Sequence, residues 1–191
     1  MAYNLKDVFY LDTTATITKA TAGTGSSQLD LSAYIDPIAR GRQKGTGLAV
    51  YRVHWAIQNG EDQNVFAPDP SESGVLTCGL VAGAGLGDNA TGAITLPAGT
   101  NNYAASNQLL ISAGMYYSPA AYPGSDATMD VYMDPSDDVP YVIVRDNVCL
   151  TYTVDAAATF ADEYDLSVRI ECAQITLDQA TLNQLLRTQT V

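Results

Sequence analysis

Between residues 50 and 57 the chain alternates with a period of two. Tyr51, Val53, Trp55 and Ile57 share one side, and Val50, Arg52, His54 and Ala56 share the other. Successive side chains of an extended backbone point to opposite faces, so this run reads as a strand whose aromatic and aliphatic face is buried. On that register Trp55, the chain's single Trp, faces inward toward residues such as Val168 and Ile170, and Arg52 stays out. A strand buried on one face requires a second packed layer.

Most of the chain repeats this rhythm. Residues 3–11 alternate Tyr3, Leu5, Phe9 and Leu11 against polar neighbours, with Asp7 breaking the apolar side, and residues 14–19 form a second, Thr-rich extended run. Leu29, Leu31, Ala33 and Ile35 alternate ahead of Pro37. Residues 75–82 read as a strand, as do 107–117, where Leu109, Ile111, Ala113 and Met115 share a face. A Gly-, Ala-, Asn- and Thr-rich excursion separates these two, with a short strand near residues 93–96. Residues 128–133 place Met129, Val131 and Met133 inward. Residues 141–145 and 148–154 flank Asp146-Asn147, which reads as a tight hairpin or as one bent strand. The last strand, 165–175, turns Leu166, Val168, Ile170 and Cys172 to one face.

Only the end of the chain carries a helical pattern. Thr176 with Gln179 matches a capping box ahead of Leu182, Leu185 and Leu186, which share a helical face. So short a helix must pack, on its own sandwich or on a neighbour. Eight to ten strands with no alternating helices make the chain all-β: an antiparallel β-sandwich of jelly-roll type with a short C-terminal helix. Residues 1–191 read as a single domain, with 1–25 an N-terminal strand or arm and 176–191 a C-terminal helical tail.

Charged residues make up 16% of the chain, below the roughly 25% usual for soluble domains. There are three Lys, four Glu and twelve Tyr. Lys and Glu are depleted at protein interfaces and Tyr is enriched, so this surface is suited to meeting other copies; an acidic, Thr- and Ala-rich surface without partners is the plainer reading. The net charge of −12 comes mainly from Asp, and it argues against a chain that coats nucleic acid or an anionic membrane as a whole. No signal peptide and no membrane span are expected from the sequence.

Cys78, Cys149 and Cys172 have neither CxxC nor Cys/His spacing and read as buried free thiols. His54 is the only histidine, and no GxSxG or catalytic-Cys signature supplies it with a nucleophile, so no enzyme is expected. Gly83, Gly85 and Gly87 form GxGxG rather than a dinucleotide fingerprint. Asp134, Asp137 and Asp138, with Asp126 and Asp130 nearby, suggest either a structural calcium site or a solvated turn; no other cofactor is expected. Arg40, Arg42 and Lys44 form the chain's one concentrated positive patch. Their charges suit the Asp-rich loops of an adjacent subunit or phosphate oxygens, with a solvated loop as the alternative.

The segment DLSAYIDPIARGRQKGTGLAVYRVHW resembles the early strands of single jelly-roll capsid proteins of small icosahedral viruses. The resemblance implies a structural protein of the virion, assembled in the host cell, that self-assembles with other copies and with other capsid proteins into an icosahedral shell. The chain departs from that pattern at its start, since MAYNLKDVFYLDTTATITK is not an Arg/Lys-rich genome-binding arm. Weak or no direct nucleic-acid binding follows. The alternative is a β-sandwich binding module, a carbohydrate-binding or fibre/spike domain, in which Tyr116, Tyr117 and Tyr122 would be exposed and the Asp loops would hold glycan with calcium.

Overall fold

The computed structural model describes residues 8–36, 44–60, 74–83, 86–87, 94–95, 103, 105–117 and 128–189 of the 191-residue chain. In chain order its elements are β1 (Val8–Ile17), β2 (Gly23–Asp30), β3 (Lys44–Asn59), β4 (Val75–Ala82), β5 (Leu86–Gly87), β6 (Ile94–Thr95), β7 (Leu110–Tyr117), β8 (Thr128–Met133), β9 (Tyr141–Ile143), β10 (Asn147–Val154), β11 (Tyr164–Asp178) and α1 (Gln179–Thr188). The order β1-β11-β3-β9 builds a four-stranded sheet and β2-β10-β4-β7-β8 a five-stranded one, while β5 and β6 pair with each other.

Every one of these pairings is antiparallel, and they are nested. The first strand pairs with the last, β2 with β10, β3 with β9 and β4 with β7. A long antiparallel hairpin wound so that its successive pairs alternate between two facing sheets is a jelly roll. The fold class read from the strand rhythm is the one observed.

The core lies between the sheets. Leu48, Val50, Val53 and Ile57 of β3 and Leu166, Val168, Ile170 and Cys172 of β11 meet Leu76, Cys78 and Leu80 of β4 and Val148, Leu150 and Tyr152 of β10. Removing each such aliphatic side chain from water contributes about 1.5–3 kcal/mol, which is why the alternating strands take this arrangement. Phe160 fills one end, with its ring 5.8 Å from Tyr116 and 5.1 Å from Tyr164. All three cysteines are buried free thiols, as expected.

Several local readings are corrected by pairing that a one-strand pattern does not contain. Residues 8–17 form one continuous strand rather than two runs, held by ten register partners on β11. The alternation of Leu29, Leu31, Ala33 and Ile35 is not a strand: β2 ends at Asp30, and the backbone N–H groups of Tyr34 and Ile35 both donate to the Leu31 carbonyl in a turn. Residues 141–154 are neither a hairpin nor one bent strand. β9 belongs to the four-stranded sheet and β10 to the five-stranded one, so the chain changes sheets between them.

Bulges account for the face errors. Glu171 pairs with Arg52 and Cys172 with Val50, leaving Tyr51 as an extra residue in β3. An extra residue switches the facing of everything beyond it. Val50 is therefore buried along with Val53 and Ile57, and Tyr51 is only half-buried. A second bulge, with Ile111 as the extra residue of β7 opposite Leu80 and Val81, leaves Met115 facing outward and Tyr116 in the core. On β8, the edge strand of its sheet, Met129 and Met133 are half-buried but Val131 is exposed.

The helix begins later than its sequence pattern suggests. β11 runs through Thr176 to Asp178, whose side chain caps α1 by accepting from the Thr181 N–H at 2.7 Å. Leu182 is buried, while Gln189 donates from Nε2 to the Val142 carbonyl at 2.7 Å and accepts the Val144 N–H at 3.2 Å. Both contacts are with β9 and the residue after it, so α1 docks on its own sandwich.

Candidate functional site

Arg40 and Arg42 lie outside the described residues. Lys44 opens β3, where its backbone pairs with Asp178 at the N-cap of α1. Lys44 therefore stands at the end of the four-stranded sheet that carries the helix. Asp126 and Tyr122 also fall outside the described residues. Asp137 and Asp138 sit in an exposed turn, Asp130 is exposed on β8, and the described residues contain no group of three or more His, Cys, Asp or Glu side chains placed to hold a metal ion. The exposed-aromatic reading fails for Tyr116, which is buried against Phe160.

Asp134, first residue of that turn, does something different. Its carboxyl reaches back to the Val53 N–H and the Ser112 hydroxyl, in the field of Arg52 and His54. Burial pushes its pKa up, and those hydrogen bonds and charges offset part of the rise. The single Ser112 hydroxyl proton is shared between the Asp134 carboxyl and the Met133 carbonyl 3.0 Å away, while its oxygen accepts Trp55 Nε1–H at 2.9 Å. Trp55 is half-buried at the margin of the core and does point inward. Val168 is its neighbour within the sheet, however, and the residue it meets across the sandwich is on β7.

The outer face of the four-stranded sheet carries the most concentrated chemistry among the described residues. Register places three side chains abreast in successive rows across β1, β11 and β3: Tyr10, Glu171 and Arg52; Asp12, Arg169 and His54; Thr14, Ser167 and Ala56. Strands lie about 4.8 Å apart and alternate residues about 7 Å along the strand, so the rows form a grid of polar side chains. Small residues floor the third row, where Thr14 and Ser167 share a hydrogen bond of 3.1 Å. The longer Tyr10, Arg169 and His54 stand over it, leaving a groove of about 610 Å³.

Charge on this face is incompletely matched. His54 Nε2 lies 3.7 Å from Glu171, and this is the one ion pair within 4 Å among the described residues. The Arg169 guanidinium sits 6.0 Å over the Tyr10 ring, and Tyr10 is 57% exposed. Alternation along β3 is enough to turn Arg52 and His54 outward. It misses Tyr10, Asp12 and Arg169 as their companions, because the signal is cross-strand register between residues more than a hundred positions apart.

Nucleophilic chemistry finds no support here. Burial pushes the Cys78 and Cys172 thiols up to about 12, which keeps both protonated. Among the described residues no helix is long and apolar enough to cross a membrane.

No family model matches the chain, and no curated protein matches its sequence. Among solved structures it is similar to VP1 of Trichodysplasia spinulosa-associated polyomavirus in complex with sialylated precision glycooligomers, with a TM-score of 0.48, 8% identity, and coverage of 93% of this chain and 97% of that one. VP1 of Human Polyomavirus 12, in complex with 3'-sialyllactosamine, gives 0.44 and 6%, covering 90% and 100%. The Merkel cell polyomavirus VP1 unassembled pentamer gives 0.40 and 6%, covering 93% and 98%. The superpositions are loose, and the jelly roll assigned above stands on this chain's own strand pairing.

Proposed function

We propose that the chain is a structural, non-enzymatic subunit that assembles with copies of itself into a shell of the kind a viral capsid forms. The observation that carries this reading is the edge of the five-stranded sheet at β8, which pairs with β7 alone among the described strands. β8 closes that sheet with Val131 40% and Tyr132 49% exposed, next to Met115 of β7. Soluble monomers protect edge strands with Lys, Pro, bulges or a covering element, since an open edge pairs with other chains. Here β8 carries one bulge, at Tyr132, and one charge, Asp130, and three Lys serve the whole chain, so its apolar side chains stay largely uncovered. Exposed aromatic and aliphatic side chains on such an edge mark an interaction surface.

On this reading the residence is the virion, residues 1–191 act as one sandwich, and the Arg40, Arg42, Lys44 loop joins subunits. Analytical ultracentrifugation and negative-stain microscopy of the purified chain test it. Particles far larger than the 20.2 kDa chain are expected. A species that stays monomeric at every concentration and is retained by immobilised glycans would make it a binding module instead.

A further inference from the structure

We propose that the groove on the outer face of the four-stranded sheet receives the acidic turn at residues 134–140 of a second copy. The inference rests on the self-assembly reading and names one of its contacts.

The turn is shaped to be inserted. Ser136 and Val139 close it with reciprocal backbone hydrogen bonds of 3.3 and 3.1 Å, and the Val139 N–H also lies 3.2 Å from the Ser136 hydroxyl. Pro135 and Pro140 flank it, and Asp134 anchors its base to β3. A turn held by its own bonds loses little conformational freedom on docking. Its tip presents Asp137 and Asp138 beside Val139, which at 74% is the most exposed large apolar side chain among the described residues.

The groove offers the matching chemistry. Arg169 and the neighbouring Arg52 have no carboxylate within 4 Å among the described residues, and the exposed Tyr10 ring provides an apolar wall. Asp12 and Glu171 stand on the same sheet face and balance the formal charge of the two arginines, so what the face offers an incoming carboxylate is individual guanidinium groups rather than net positive charge. Val139 against Tyr10, with the two carboxylates against the guanidinium groups, would match charge to charge and apolar to apolar; Arg binds carboxylates through paired donors. Turn and groove are different surfaces of the same chain, so the contact is head-to-tail and propagates from copy to copy, as a shell or ring requires.

A charge exchange tests this. Arg169→Glu, and separately Asp137→Lys with Asp138→Lys, should each leave a folded monomer at concentrations where the unaltered chain is fully assembled, with an unchanged circular dichroism spectrum and a cooperative melting transition. Combining all three substitutions in one chain should restore assembly. So should mixing the two variants in equal amounts, because each then offers the other a complementary turn and groove. An unaltered chain that assembles, with all variants assembling equally well, overturns the inference and leaves the self-assembly reading in place, with the groove covered by something else or by solvent. Folded variants that fail to assemble and are not rescued by mixing also overturn it. An unaltered chain that never assembles overturns both.

Discussion

Asp134 shows how one side chain can be useful to an arrangement and costly to stability. Its carboxyl stitches the 134–140 turn to the Val53 N–H and stands beside Ser112, which also bonds Trp55 and the Met133 carbonyl. The folded-state pKa is raised above the ordinary 3.8, mainly by burial. A raised carboxylate pKa means the fold prefers the protonated form, so its stabilising contribution is complete below the ordinary value and is lost as pH rises through the folded one. Asp134→Asn keeps an acceptor for Val53 and carries no charge. Its melting temperature at pH 7 should exceed that of the unaltered chain, and the gap should close as pH falls toward the ordinary carboxylate range. A variant that melts lower at pH 7 would show that Arg52 and His54 outweigh the burial.

Strand-to-strand packing depends on positions that look unremarkable in sequence. Gly25 of β2 is paired with Tyr152 of β10, and an added Cβ there would fall within the Tyr152 ring. That ring crosses to the other sheet, where its hydroxyl donates to the Thr16 carbonyl at 2.6 Å. Gly25→Ala should displace the ring and break this link between the sheets, at a cost of about 1–3 kcal/mol. Urea unfolding would measure it, and an unchanged midpoint would mean the ring can shift without losing its partner. α1 likewise owes its place both to the buried Leu182 and to Gln189, whose amide bonds the backbone of Val142 in β9 and of Val144 just after it.

Topology governs how the molecule reaches its fold. Because β1 pairs with β11 along ten residues, from Ile17↔Tyr164 to Val8↔Ala173, the two ends of the sandwich must meet across nearly the whole chain before the four-stranded sheet exists. Closing such long loops costs entropy before any contact compensates, and β-sandwiches of this kind fold in milliseconds to seconds rather than microseconds. Refolding followed by Trp55 fluorescence should fall in that slow range or slower. A submillisecond phase carrying the full native signal would contradict the nested pairing. The same topology lays β1, β11 and β3 side by side with their outward residues in rows, and so assembles the groove from three distant segments.

Alternation along single strands was enough to make the chain all-β, to place Leu166, Val168, Ile170 and Cys172 in the core, to bury the three thiols and to predict one terminal helix. These are local properties, set by a period of two and by the cost of leaving apolar surface in water. Which way Val50, Met115 and Tyr116 face was decided only by bulges, since a bulge is a mismatch between two strands and neither strand's own pattern contains it. The change of sheets between β9 and β10, which the sequence reading took for a hairpin or one bent strand, was decided by pairing partners far away in the chain. The groove was beyond sequence reading for the same reason. Tyr10, Arg169 and His54 become neighbours only when backbone hydrogen bonds bring the first, last and third strands into register.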